Sequence, residues 1–303
     1  MTDKNLIIEY LLLGLLALLW GSSYLFIKVA VVEIPPISLI ALRVSGAAVF
    51  LFIALLARGR RLPRGTATWA RLGLQAVFNS IGAWTVLAWG QQYVDSGLAS
   101  VLNSTSPIFV FLFTALVTQH EALGGRKLAG AILGLAGVVL IVGPATLAGL
   151  GHAVAGQCAC LLGAMLYACA AIYGKRFAKL GALETALGTM IWASVVLVPL
   201  AFMVETPLSL RPSVQAVAAA VALSIFCTGI ALLIYFRLVH TLGSLGVASQ
   251  SYLRAGIGVV LGVTLLGEVP SVPTMIGLAA AIIGVVLINA PKPAETRSDH
   301  RRS

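Results

Sequence analysis

The chain has 303 residues, of which 59% are hydrophobic and only 10% charged, with a mean hydropathy of +1.01. A water-exposed domain carries about 25% charged residues, so composition excludes a soluble globule. The formal net charge of +10 does not point to nucleic acid, because the basic residues gather in short segments between apolar runs, such as "RGRRLPRG" at 58–65 and "GKRFAKL" at 174–180. That placement is a topology signal, with anionic lipid headgroups as neighbours.

Apolar runs of roughly 20 residues, long enough for a hydrocarbon core of about 30 Å, recur from end to end. They are rich in Leu, Ala and Gly and lack strict alternation, so they read as helices and not as barrel strands. Breaks at Pro, Gly and charge clusters predict spans at 6–30, 36–57, 69–93, 97–118, 126–145, 154–176, 183–204, 214–240, 244–266 and 271–290. The first is too long for a signal-peptide core and lacks a clear small-residue cleavage site, so it reads as a span. It places Trp20 and Tyr24 one turn apart on one face. The second opens on "PPISLIALR", which carries Arg43 well inside it. The third holds Asn79 and Trp84; the fourth, with "SVLNSTSPIFVF", holds Asn103 and Pro107. Tyr167 lies in the sixth span and Tyr235 and Arg237 in the eighth, from which Arg237 can snorkel to the interface. The ninth carries Gln250 and Arg254. Cys158, Cys160, Cys169 and Cys227 all fall inside apolar runs and read as small packing residues. The polar tail, 291–303, is predicted to be disordered.

The sequence resembles itself at an offset of 147 residues. "GRKLAGAILGLAGVVLIV" aligns with "VPTMIGLAAAIIGVVLIN", bringing Gly130 onto Gly277 and Gly137 onto Gly284. The same offset pairs Trp20 with Tyr167, Lys28 with Lys175, Gly82 with Gly229, Asn103 with Gln250, and Glu121 with Glu268. Each unit holds an odd number of spans, so the second must enter the membrane upside down. The expected fold is an all-α integral membrane protein of ten transmembrane helices, arranged as two inverted five-helix repeats around a central cavity. The first repeat occupies 1–145, the second 146–290. Such inversion is the recurrent plan of secondary transporters, with substrate near the midplane where the halves meet. The positive-inside rule places both termini in the cytoplasm: that side receives Lys4, Arg58, Arg60, Arg61, Arg64, Arg71, Arg126, Lys127, Lys175, Arg176 and Lys179, and the other only Lys28 and Arg211. The expected location is the plasma membrane of a bacterium.

Arg254 falls near the middle of its span, where an arginine costs about 2.5–3.5 kcal/mol or more. The acids nearest the spans, Glu9, Asp95, Glu121 and Glu268, sit at span ends, so a substrate carboxylate is one candidate counter-charge. A structural pin on backbone carbonyls and water is the competing reading. Arg43 divides in the same way between ligand and clamp. Asn103 and Gln250, as repeat mates, offer donors and acceptors on two sides of a central site, or merely bond between helices. Asn79 reads similarly. Trp20, Tyr24, Trp84, Tyr167 and Tyr235 are mid-membrane rings suited to caging an apolar group, or to packing. Ser22 and Ser23 are expected to bond carbonyls of their own helix, and the helix 5 and helix 9 glycines to permit close packing.

With "ALLWGSSYLFIKVA", "PPISLIALR", the "SVLNSTSPIFVFLFTALVTQHEALGGRKLAGAILGLAGVVLIV" stretch and its second-half counterpart, essentially the whole chain resembles the ten-helix, EamA-type group of the drug/metabolite transporter superfamily. The resemblance implies two inverted five-helix bundles around a cavity, with helices 5 and 10 standing towards the outside of the bundle. It also marks Arg43 as a commonly basic position. One departure is plain: the group usually has Pro in both the fourth and ninth helices, whereas here the mate of Pro107 is Arg254.

The functional expectation is export of small organic metabolites by alternating access. Aromatic or hydrophobic amino acids lead, a substrate class sharpened by the resemblance, since the group includes aromatic amino acid exporters. A carrier of phosphorylated solutes such as nucleotide sugars, or a broad efflux carrier, is the alternative. An enzyme would need a nucleophile–base pair or metal ligands at depth; none is seen, and neither cofactor nor metal is expected. His120, His152, His240 and His300 fall at ends, loops or the tail, and with no acid at depth the expected mode is facilitated diffusion or exchange. The expected partners are a small-molecule substrate and membrane lipid, with no nucleic acid.

Overall fold

The computed structural model describes residues 3–90, 92–94, 96–118, 124–266, 269 and 271–290. Among the described residues, ten helical spans follow one another, with ends shifted from the expected ones by at most three residues. They are α1 (Asp3–Ala30), α2 (Pro36–Ala57), α3 (Thr66–Ala76, a π-helical segment Val77–Ile81, then Gly82–Gly90) and α4 (Ser96–Asn103, Ser106–Phe113, then π-helical Thr114–Thr118). After α5 (Gly125–Val142), α6 (Val154–Gly174) and α7 (Ala182–Val204) comes α8 (Val214–Ser224, π-helical Ile225–Ile230, then Ala231–Thr241). The last two are α9 (Gly243–Ala248 and Gln250–Leu266) and α10 (Val272–Asn289). Eight of the ten are long and apolar enough on length and composition alone to cross a membrane; α3 and α9 complete the set. The fold is all-α and multi-pass.

Local chemistry sets the ends. Pro36 occupies the first turn of α2, where its missing N–H costs nothing. Gly143, at φ 105°, closes α5 in a conformation that an L side chain resists. Ser213 and Ser271 cap α8 and α10 by accepting from the Ala216 and Thr274 amides.

Two pairs of equivalent helices, α5–α10 and α2–α7, pack against each other and run antiparallel. In the α5–α10 pair, a Cβ on Gly130 would press on the Gly284 carbonyl, and one on Gly137 on the Gly277 carbonyl and Ala281 amide. Ascending numbers on α5 thus meet descending numbers on α10, so the aligned glycines of the repeat touch crosswise. Arg126, at the start of α5, donates to the Ala290 carbonyl at the end of α10. The α2–α7 pair is clamped at both ends. Arg60, after α2, meets Glu184 in the first turn of α7 at 3.0 Å. Glu205, after α7, accepts from the Ile37 and Ser38 amides at 3.1 and 2.7 Å and from the Ser38 hydroxyl. A carboxylate there offsets the positive end of the α2 dipole.

The remaining helices obey the same exchange. α1 packs on α8 and α9, as α6 packs on α3 and α4; α3 lies on α7, as α8 lies on α2. The π-helical segments of α3 and α8 also occupy equivalent positions, with the matched glycines Gly82 and Gly229 at their ends. Both ends of the described chain lie on one face, where the Tyr10 hydroxyl donates to the Asn289 carbonyl.

α1 begins three residues earlier than expected, and Glu9, in its N-terminal part, is buried. Arg237 is therefore more than a snorkelling side chain: its guanidinium meets the Glu9 carboxylate at 2.7 Å, and Thr241 donates to the same carboxylate at 2.9 Å. On the opposite face Glu33 accepts from the Ser213 amide and hydroxyl. The amide first, then the hydroxyl, holds that carboxyl below its ordinary range. A depressed folded-state pKa means that this link is intact at neutral pH and is lost only as pH falls through the lowered value.

The glycine contacts are expected to separate packing from propensity. Gly137→Leu should overpack the α5–α10 seam and lower stability by roughly 1–3 kcal/mol. Gly14, with no atom near its would-be Cβ, should accept alanine with a gain of up to about 1 kcal/mol. Thermal unfolding of the detergent-solubilised protein checks both.

Candidate functional site

A cavity of about 380 Å³ lies between the two halves. Its lining runs from mid-membrane to the face opposite the chain ends, passing Ile27 and Val31 of α1, Pro36, Leu39 and Ile40 of α2, and Gln92. Val31 and Gln92 are exposed there. Towards the face of the chain ends the floor is shut. Trp20 and Tyr235 pack with ring centroids 5.5 Å apart. Below them Phe236 and Val239 approach Gly174, and the Glu9–Arg237–Thr241 cluster ties α1 to α8. Among the described residues the cavity is thus closed towards the face of the chain ends and lined out to the exposed Val31 and Gln92 on the other.

Nine of the ten residues singled out in the sequence line this one cavity: Trp20, Arg43, Asn79, Trp84, Asn103, Tyr167, Tyr235, Gln250 and Arg254. The side chain of Tyr24 lies outside the described residues.

Arg43 is spent as a clamp while still facing the cavity. Its Nε donates to the Thr228 hydroxyl at 2.7 Å, its Nη2 to the Cys227 carbonyl at 3.3 Å, and its guanidinium stacks 4.2 Å over the Trp84 ring. The clamp grips the π-helical segment of α8, where the backbone register is shifted and carbonyls are available. It also holds the Trp84 ring by a cation–π contact. Its partners are mid-helix groups, a hydroxyl and a carbonyl of α8. Arg254 reaches the cavity from α9, its stem packed against α1. A Cβ on Gly21 would lie 3.6 Å from Arg254 Cγ and 3.1 Å from Ile257 Cγ2, so that glycine lets α9 approach beside Trp20.

Asn103 and Gln250 occupy equivalent sites beside the helix breaks at 104–105 and 249. Both are more than nine-tenths buried. Their side-chain oxygens are buried and accept no hydrogen bond from the described residues, while both residues line the cavity. A buried unpaired oxygen costs about 1–3 kcal/mol, a penalty typical of functional sites. Asn79 is buried on the π-helical segment of α3, its amide nitrogen 3.3 Å from the Ser80 hydroxyl.

Pro107 starts the second part of α4. Its mate Arg254 lies within a continuous stretch of α9, which breaks at Ser249 without help from proline. Ser22 and Ser23 donate to the Leu19 and Trp20 carbonyls, as expected. Sequence reasoning missed the serines Ser23, Ser106 and Ser251 as lining residues, together with Gln92. The polar runs "NSTS" and "SQS" inside apolar spans were the available signal for Ser106 and Ser251. Among the described residues no group of three His, Cys, Asp or Glu forms a metal site.

Two inverted bundles enclosing a mid-membrane cavity are the plan of a transporter. The sequence matches the EamA-like transporter family twice, over residues 7–143 and 154–290, and the chain belongs to that family. It is a secondary transporter of small organic solutes across a membrane. Among its relatives are the uncharacterized inner membrane transporter YedA of Escherichia coli K12, 29% identical over 91% of this chain and 89% of YedA. An uncharacterized transporter of Archaeoglobus fulgidus is 31% identical over 93% and 97%. A probable terminal-alkyne amino-acid exporter of Streptantibioticus cattleyicolor is 29% identical over 89% of each chain. A protein of known crystal structure shares the fold at a TM-score of 0.79, with 23% identity, over 92% of this chain and 96% of its own.

The Arg43 clamp predicts a stability effect. Arg43→Ala should cost about 1.5–3 kcal/mol, the range for hydrogen bonds made by a charged group, seen as a lowered thermal transition. Arg43→Lys should recover only part of it, since an ammonium lacks the planar fork that bonds and stacks at once.

Proposed function

We propose that the protein exports amino acids with aromatic or hydrophobic side chains, working by alternating access as a facilitator or exchanger. One observation carries the reading: Arg254, the side-chain amides of Asn103 and Gln250, and the rings of Trp20, Trp84, Tyr167 and Tyr235 line a single cavity. Guanidinium and amide donors suit a carboxylate, and the rings suit an apolar body. The passage to the open face, through Ile27, Val31, Leu39 and Ile40, favours such a body over a phosphorylated sugar. The amino-acid export named for the Streptantibioticus relative points the same way.

In this reading the two repeats, 1–145 and 146–290, exchange conformations. Both termini lie in the cytoplasm, by the bias of Lys and Arg towards that side, and the membrane is the bacterial inner membrane, as named for YedA. The cavity then faces outward. The described lining contains no Asp, Glu or His, which supports transport without proton coupling.

Counterflow into proteoliposomes with a panel of labelled amino acids tests the proposal. Saturable exchange of aromatic and hydrophobic members is expected, and Arg254→Ala should weaken it about tenfold or more, as losing a hydrogen bond from a charged group does. An imposed pH gradient should not drive accumulation. Equal exchange by wild type and variant would remove Arg254 from the site, and uphill uptake on acidification would overturn the uncoupled mode.

A further inference from the structure

Equivalent residues of the two repeats differ in burial at the two ends of the cavity. Glu9 on α1 meets Arg237 on α8. Their mates at the offset of 147 are Gly156 on α6 and Gly90 on α3. A Cβ on Gly90 would lie 2.8 Å from the Gly156 carbonyl, and one on Gly156 would lie 3.1 Å from the Gly90 carbonyl. The same residue pair thus meets in each half, so α1 sits on α8 in the register in which α6 sits on α3. Towards the face of the chain ends these two helix pairs touch. Phe236 and Val239 of α8 are fully buried. Val239 Cγ1 and Phe236 Cε1 stand 3.4 and 3.7 Å from the place a Cβ on Gly174 of α6 would take.

At the opposite face the mates of Gly174, Phe236 and Val239 are Ile27 on α1, Trp89 at the end of α3 and Gln92 just beyond it. Ile27 and Gln92 line the cavity, Gln92 is exposed, and Trp89 is 44% exposed. Side chains sealed at one face are therefore open at the other. Because the register within each helix pair is shared, rocking one pair against the other about the cavity has a definite result. The motion that parts Gly174 from Phe236 and Val239 brings Ile27 towards Trp89 and Gln92. Closure there would bury an isoleucine against an indole face and a glutamine stem, with the polar ends of both left at the wet rim.

We infer that the transport cycle passes through a second closed state in which Ile27 seats against Trp89 and Gln92, and that the difference between Gly174 and Ile27 biases the protein towards the form described here. This rests on the proposal that the two repeats exchange conformations, and not on which solute is carried. Ile27, Trp89 and Gln92 are then gate residues of transport. Glycine lets α8 approach the α6 backbone, whereas isoleucine keeps its helix a side chain away from α3. A methyl group at Gly174 would make only ordinary contact. The further branches of an isoleucine would have to enter the buried Phe236–Val239 surface and would wedge that face apart.

A cysteine pair reads the second state without any solute. In the full chain with Cys158, Cys160, Cys169 and Cys227 replaced by alanine, Ile27→Cys is combined with Gln92→Cys and oxidised with copper phenanthroline in proteoliposomes. Loss of maleimide-reactive thiol reports the disulfide, with each single variant as the control. A disulfide is expected in the pair and in neither single variant, and it should arrest exchange until it is reduced. Adding Gly174→Ile should speed its formation about fivefold or more by shifting the population, and Gly174→Ala by less than about twofold. No disulfide above the single variants, or a rate unmoved by Gly174→Ile in folded protein, overturns the inference. If Gly174→Ile does not fold, the cysteine pair alone decides. A pair that crosslinks in a chain exchanging no amino acid supports the gate and refutes amino-acid export. Amino-acid exchange without the crosslink does the reverse.

Discussion

Hydrocarbon offers no water to a backbone amide, so each span must satisfy its own polar groups or hand them to neighbouring protein. That constraint organises this molecule. α1, α2, α5, α6, α7 and α10 are unbroken, whereas the departures from regular helix fall in α3, α4, α8 and α9. The breaks at 104–105 and 249 and the π-helical segments of α3 and α8 lie beside the cavity, where Asn79, Asn103 and Gln250 line its wall. The clearest case is the α8 segment, whose Cys227 carbonyl and Thr228 hydroxyl are taken up by Arg43. Irregular backbone is tolerated where protein or an aqueous space can answer it, and there it supplies polarity in mid-membrane.

Inversion follows from the same packing. Glycine seams bring α5 and α10 into backbone contact, and paired carboxylate–cation and carboxylate–amide clamps hold α2 against α7 at both ends. These symmetric pairs form a frame. Around it, α1 with α8 and α9, and α6 with α3 and α4, are equivalent sets on opposite sides. Their side chains are not equivalent: the floor has the Trp20–Tyr235 contact and the Glu9–Arg237 ion pair, while the corresponding positions for that ion pair in the other half are glycines, Gly156 and Gly90, in backbone contact. Architectural symmetry with chemical asymmetry lets one face be closed while the other is open.

The helix order and the repeat were legible in the sequence because each rests on local or periodic information. Length of apolar run sets a span, Pro, Gly and charge set its ends, and one constant offset exposes duplication. The lining residues were legible for a related reason. A polar or cationic side chain in hydrocarbon must face protein, so Arg43, Asn79, Asn103, Gln250 and Arg254 could be named before their neighbours were known. Hydroxyls escaped because Ser and Thr satisfy themselves on their own helix, as Ser23 does on the Trp20 carbonyl, and so leave little trace in composition.

What the sequence by itself determined is the membrane class, the number of spans, the doubled plan and the set of polar residues that had to be enclosed. Tertiary structure alone decided how each is used: Arg43 as a clamp on a shifted helical register, Asn103 and Gln250 as neighbours in the wall of one cavity, and Glu9 as the partner of Arg237. The physical reason is distance along the chain. Those outcomes depend on contacts between residues far apart in sequence, whose geometry is set by packed helices and leaves no periodic signature.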